Sequence, residues 1–222
     1  MLETYFPNVD LESMWEATSE TLYMTGISVV AVFVFGILLG LLLFLTAPGN
    51  LWQNKVIYSI VSAFVNIFRS IPFIILIVLL IPLTKLLVGT MIGEKAALPA
   101  LIIGTAPFYA RMVEIALREI DKGVIEAAKA MGAKTSTIIW KVLLPESMPA
   151  IISGITVTTI ALIGSTAMAG VVGAGGLGNL AYLEGFQRGR DDVVLVATIV
   201  ILIIVFAVQL IGDLVTRKLD KR

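Results

Sequence analysis

Glu126 to Pro145, EAAKAMGAKTSTIIWKVLLP, is the longest segment of the chain that is neither lipid-soluble nor a simple turn. An apolar run long enough to cross a bilayer lies on each side of it. Glu126 to Met131 consists of strong helix formers, and Gly132 is suited to a left-handed terminator. Thr135 or Ser136 is placed to cap a second short helix through Trp140 and Leu143, with Pro145 expected to stop it. Ala127 and Ala128 keep one face of the first helix low, so another protein's surface can approach its backbone, and Glu126 offers a carboxylate in front of that face. An amphipathic loop resting on lipid headgroups is the plainer alternative, since Ile138, Ile139, Trp140, Val142 and Leu143 would permit it. Lipid contact leaves the small face and the glycine turn unexplained.

Outward from that hairpin the chain is dominated by lipid-compatible sequence. Of 222 residues 58% are hydrophobic and 14% charged, against about 25% charged in a soluble domain. Net charge is zero, so nothing in the bulk electrostatics favours nucleic acid. Cysteine and histidine are both absent. Their absence removes disulfides, thiol nucleophiles, the common zinc ligands and the commonest general base, which argues against an enzyme or a metal centre in this chain. Residues 1–20 carry Glu3, Asp10, Glu12, Glu16 and Glu20 and no Lys or Arg. That is the reverse of a signal peptide's basic n-region, and the segment is expected to stay outside the membrane.

Five crossings are expected, at about 22–45, 56–83, 96–117, 148–170 and 193–215, giving an all-α integral membrane protein. The second is the least regular. Pro72 follows Asn66, Arg69 and Ser70 and predicts a kink or break, because proline lacks an amide hydrogen and clashes with the preceding turn. Two readings of Arg69 stand at this point: it snorkels to the cytoplasmic boundary, or Asn66, Arg69 and Ser70 line a translocation path. At the end of the third crossing, Glu114 and Arg118 form an i,i+4 pair worth a few tenths of a kcal/mol if exposed. The fourth crossing is rich in small and hydroxyl residues, which serve either tight helix packing or a pore-lining face. Ser165, Thr166 and Met168 are its path candidates, although Met168 reads equally well as a gap filler.

Positive charge sets the orientation. With the N-terminus outside, the inner segments hold eleven Lys and Arg and the outer segments four, leaving Arg69 within a crossing. Six of the eleven lie between Arg111 and Lys141, so the hairpin and the basic tail 218–222 face the cytoplasm.

The spacing in the hairpin resembles the EAA loop of permease subunits of bacterial ABC importers: Glu-Ala-Ala, three residues, Gly, nine residues, Ile, one residue, Leu-Pro. Glu126, Ala127, Ala128, Gly132, Leu144 and Pro145 match it, and Val142 in place of Ile is the one departure. In that family the loop, here residues 121–146, forms coupling helices seated in a groove of the ATP-binding subunit. Four further stretches, 66–77, 88–93, 106–114 and 167–179, are similar to permeases of methionine importers, and the likeness runs from Leu22 to Asp213. The resemblance implies a type I ABC importer permease fold and a homodimer in the bacterial cytoplasmic membrane. It also implies two cytoplasmic ATPase subunits that bind ATP and Mg, and an extracytoplasmic methionine-binding protein or lipoprotein. The implied cargo is L-methionine and D-methionine.

Gly173, Gly175 and Gly178 satisfy G-x-G-x-x-G, but a dinucleotide site needs a preceding strand and an acid about 20 residues on. A membrane helix precedes these glycines, and Leu195 to Thr198 occupies the acid's position, so a flexible outer loop is the better expectation. No Walker motif, G-x-x-x-x-G-K-[ST], is present, so any ATP-driven work needs a partner. The competing classes are a permease for another small solute, an ATP-independent secondary transporter, and a membrane-embedded enzyme. The second would want carboxylates within its crossings, the third clustered acids.

Overall fold

The computed structural model describes residues 6–220, all of whose regular structure is helical. Residues 1–5 of the acidic segment, with Glu3, and residues 221–222 of the basic tail lie outside the described residues. Helix α1, Leu11–Thr46, starts eleven residues before the expected crossing because Asp10 caps it, accepting from the amides of Glu12 and Ser13. Its 36 residues reach about 54 Å at 1.5 Å each, well beyond a hydrocarbon core of about 30 Å. Most of the acidic N-terminal segment is therefore a helical projection.

The second crossing is broken. Helix α2, Lys55–Ser70, ends at Ile71, and α3, Phe73–Leu79, leaves at 106° to it. Pro72 is the physical cause, as its ring and missing amide forbid the helix from continuing. A further short helix, α4 (Ile81–Val88), leads to Gly89, whose φ of 82° only glycine adopts cheaply. The third crossing is α5, Glu94–Arg118, which carries Pro99 and Pro107 inside it. After it come α6, Lys122–Ala130, and α7, Thr135–Val171. Helix α8, Gly176–Leu180, runs into a π-helical turn at Ala181–Phe186, and α9, Asp191–Leu219, closes the chain. Four helices are thus long and apolar enough to cross, and the bent pair α2–α3 supplies the fifth crossing.

Helix α5 is the centre of the bundle and packs against α1, α2 and α7. The most hydrophobic stretch of α9 is only 6% buried, against 61% for that of α5, so α9 faces lipid and α5 faces protein. Tyr109 anchors the middle of α5: it is fully buried, stacks on Phe33 at 6.0 Å, and donates its hydroxyl hydrogen to the Ile151 carbonyl. Gly36 and Gly40 let α1 approach this surface, since a Cβ at Gly36 would meet the Tyr109 ring and one at Gly40 the Val113 side chain. That is the small-xxx-small packing of membrane helices.

Three local expectations are corrected. Pro145 does not end the second hairpin helix. Thr135–Val171 is continuous, and the turn before the proline widens into a π-helical segment at Ile139–Leu143, where the Leu144 amide reaches back five residues to Ile139. Such a bulge lets a helix pass a proline that cannot take its usual i−4 bond. Neither Thr135 nor Ser136 caps that helix; Lys134 holds the cap position without a side-chain bond. The glycine-rich loop is packed rather than flexible. Gly176 donates its amide to the Glu20 carboxylate at 2.6 Å, Leu177 donates to Thr21, and Gly173 accepts from the Gly93 amide. Gly178 lies so close to the Ala167 backbone that no Cβ fits.

Candidate functional site

Two regions concentrate polar side chains where function requires them: the hairpin at one end of the bundle, and a cavity at the break between α2 and α3. In the hairpin, Asp121 caps α6 by accepting from the Gly123 amide at 2.7 Å. Gly132 at φ 78° closes the helix in a Schellman arrangement: the Gly132 amide bonds Lys129 O, and the Ala133 amide bonds Ala128 O. The alternation this imposes splits the two alanines. Ala128 is buried with Ile138, Ile139, Leu143 and Leu144 against Leu117 and Ile120. Ala127 is exposed, and with Val124 and Met131 it makes an outward stripe that is apolar and low at its centre. Glu126 and Pro145 are exposed as well, and Leu144 is an internal strut. Only part of the matched pattern is thus available to a partner, while Ala128 and Leu144 tie the hairpin to the bundle. Met131 and Trp140, 81% and 71% exposed, are the largest apolar groups presented there.

The cavity, of about 320 Å3, is lined by Phe68, Arg69, Phe73, Thr105, Phe108 and Ser165 among others. The Arg69 guanidinium lies over the Phe108 ring at 5.8 Å from its centroid. Of the path candidates, the structure brings Arg69 and Ser165 onto this one cavity. Asn66 is exposed and accepts from Arg111, and Ser70 bonds back to the Asn66 carbonyl. Thr166 is buried on its own helix, bonded to Ile163 O, and Met168 is half exposed away from the cavity. The hydroxyls of α7 settle similarly: Thr156, Thr158 and Thr159 are buried and bond the carbonyls four residues back. They serve packing.

Between the two regions lies a polar cluster whose burial was not legible from the sequence. Glu114 is 1% exposed, with Arg111 at 2.5 Å on one oxygen and Arg118 at 2.6 Å on the other. Arg111 also reaches Ser62 and Asn66, and Arg118 reaches Tyr58. Glu114 is therefore the buried centre of a triad, with Arg111 mostly buried and Arg118 half exposed, and the two arginines stitch α5 to α2. Asn66 on α2 was the available signal, since an amide in an apolar helix draws a partner from a neighbouring helix.

Residues 33–222 match the family described as binding-protein-dependent transport system inner membrane component. The chain belongs to this family. It is therefore a multi-pass membrane component of a transport system rather than an enzyme. Two relatives fix the branch. The chain is 71% identical over 222 residues, 100% of both chains, to the methionine import system permease protein MetP of Bacillus subtilis. It is 54% identical over 151 residues, 68% of this chain and 70% of the relative, to the D-methionine transport system permease protein MetI of Escherichia coli. Among solved structures, a chain of the MetNI methionine ABC transporter in inward-facing conformations superposes with a TM-score of 0.93 at 46% identity, over 96% of this chain and 100% of that one. The permease fold is that of type I ABC importers, with five crossings and the hairpin between the third and fourth.

Proposed function

We propose that this permease carries methionine, in L and D forms, inward across the cytoplasmic membrane as a homodimer. In this reading two ATP-binding subunits grip the hairpins from the cytoplasm, and an extracytoplasmic binding protein delivers the cargo. ATP and Mg bind to those partners. The N-terminus lies outside and the C-terminus inside, as the eleven-to-four bias of Lys and Arg requires. Five crossings are too few to enclose a path for an amino acid, and a symmetric pair supplies ten. Closure of the ATP-binding subunits draws the hairpins together, and because α6 is fastened through Ala128 and Leu144 to the ends of α5 and α7, that movement rocks the crossings to the outward-facing state. Hydrolysis resets the inward-facing one.

The observation that carries this reading is the exposed stripe Val124, Ala127 and Met131 on a helix capped at both ends and backed by the bundle core. A rigid, low-profile knob of this kind transmits displacement, where a headgroup-resting loop would not. The test is uptake of radiolabelled methionine by proteoliposomes containing the permease, the ATP-binding subunit and the binding protein. Gly132→Leu forces a side chain into a left-handed conformation worth roughly 1–2 kcal/mol of strain and reshapes the knob. Uptake should collapse while membrane insertion is retained. Normal uptake by that variant, or wild-type uptake without the ATP-binding subunit, would overturn the proposal.

A further inference from the structure

Among the described residues the charge on Arg69 has no counter-ion, and it stands on the wall of the cavity at the break of the second crossing. Fourteen residues separate it from Lys55 at the start of the helix, a rise of about 21 Å along α2. Arg69 is exposed near the end of α2, and a guanidinium within a crossing is stable only where it meets water, an anion or protein. Among the described residues it makes no ion pair, only the contact with the Phe108 ring. Glu114 is the one acid well inside the third crossing's buried surface, and both its oxygens are held by Arg111 and Arg118. The cavity wall around Arg69 carries the hydroxyls of Thr105 and Ser165 and three phenylalanines, and no carboxylate. Its volume of about 320 Å3 falls in the range of small-molecule sites, about 300–1,000 Å3.

We propose that this cavity is a resting site for the transported amino acid, with Arg69 as the anchor for its α-carboxylate. The inference rests on the import reading above. A guanidinium fork accepts a carboxylate through two parallel hydrogen bonds, and its contact with Phe108 fixes the fork's orientation before the cargo arrives. Phe68 and Phe73 offer apolar walls to a flexible thioether side chain. Ser165 donates its hydrogen to the Ala161 carbonyl, which leaves its oxygen free to accept from the cargo's ammonium group. The site thus reads the two charges common to all amino acids, while its apolar walls receive the side chain.

The test uses the assembled transporter in lipid nanodiscs and equilibrium binding of radiolabelled methionine to wild type, Arg69→Gln and Arg69→Lys. Any site on the partner subunits is common to all three and subtracts out. Arg69→Gln should weaken the permease-borne sites at least tenfold, with Arg69→Lys intermediate, since it keeps the charge and loses the fork. On wild type, 3-(methylthio)propanoate should compete for those sites and methionine amide should not. If Arg69→Gln does not assemble, the difference between wild type and Arg69→Lys in the same competition decides. Full stoichiometry and affinity within twofold in Arg69→Gln, or equal competition by the amide, overturns the anchor. Wild-type uptake of methionine, measured in parallel, separates the two ideas: normal uptake with unaltered Arg69→Gln binding sinks this site alone, and no uptake sinks the import reading itself.

Discussion

Removing the carboxylate of Glu114 should be among the most damaging isosteric changes in the chain. The group is 1% exposed and neutralises two guanidiniums at once, with Arg111 at 2.5 Å and Arg118 at 2.6 Å. The two arms are unequal. The Arg118 side chain is 51% exposed and the Arg111 side chain only 19%. Removing one partner of a buried pair costs about 3–5 kcal/mol, whereas a half-exposed pair is worth about 1 kcal/mol or less. Most of the loss in Glu114→Gln therefore falls on Arg111, which keeps only its bonds to Ser62 and Asn66. Glutamine retains one acceptor oxygen, which places the expected cost near the lower end, about 3 kcal/mol. At about 2–4 °C per kcal/mol for a chain of this size, thermal unfolding of the detergent-solubilised permease should drop by about 6–12 °C. Arg118→Gln should drop it by about 4 °C or less on the same scale. The measurement is the loss of the monodisperse size-exclusion peak after heating. A Glu114→Gln midpoint within 2 °C of wild type, or an Arg118→Gln midpoint as low as that of Glu114→Gln, refutes the assignment of a buried triad dominated by Arg111.

The hairpin's two alanines should behave oppositely: Ala127→Trp leaves the thermal midpoint unchanged but prevents co-purification of the ATP-binding subunit. Ala128→Trp, 5% exposed, overpacks the hairpin core by about 1–3 kcal/mol and lowers the midpoint itself. In the glycine-rich loop, Gly178→Ala forces a Cβ against the Ala167 backbone and should destabilise by about 1–3 kcal/mol. Gly26→Ala, which meets nothing within 4 Å, should be neutral or slightly stabilising in the same melt. At the start of α9, Asp192 accepts from the Asn8 backbone amide, which holds its carboxyl below the usual value. A lowered folded pKa means the tether is fully present above the unfolded value of about 3.9 and is lost as pH falls below it. A nitroxide at Leu11 should therefore gain mobility below about pH 4, and Asp192→Asn should shrink that transition, leaving the part due to the Asp10 cap of α1, whose carboxyl its bonds to Ser13 also hold below the usual value.

Much of the architecture was legible because its causes are local. Pro72 breaks a helix wherever it sits, and the structure answers with a 106° bend. Gly132 adopts φ 78° because a chain reversing after α6 needs a left-handed residue there. The failures were also local rules overruled. Pro145 reads as a stop in isolation, yet a helix with packed surfaces on either side of it gains more by widening one turn than by ending. Glycines 173 to 178 read as flexible, yet their bareness serves close approach: Gly178 to Ala167, and Gly176 to the Glu20 carboxylate, 156 residues away. Gly36 and Gly40 carried a four-residue spacing that points to helix packing, which marks the face of α1 turned to α5.

Apolar length, proline and glycine positions, and the bias of Lys and Arg determined by themselves that this chain crosses a membrane five times and turns one short hairpin toward its basic side. Those features follow from the cost of exposing backbone or charge to hydrocarbon, and each residue incurs that cost wherever its neighbours lie. Outside the Gly36–Gly40 face of α1, which face of a crossing meets protein was decided only in three dimensions, because lipid tails are as apolar as leucine and burial leaves little periodic trace in the sequence. Tertiary packing alone therefore buried Glu114 between its two helix neighbours Arg111 and Arg118, turned Ala127 out and Ala128 in, and left Arg69 on a cavity wall without a counter-ion among the described residues.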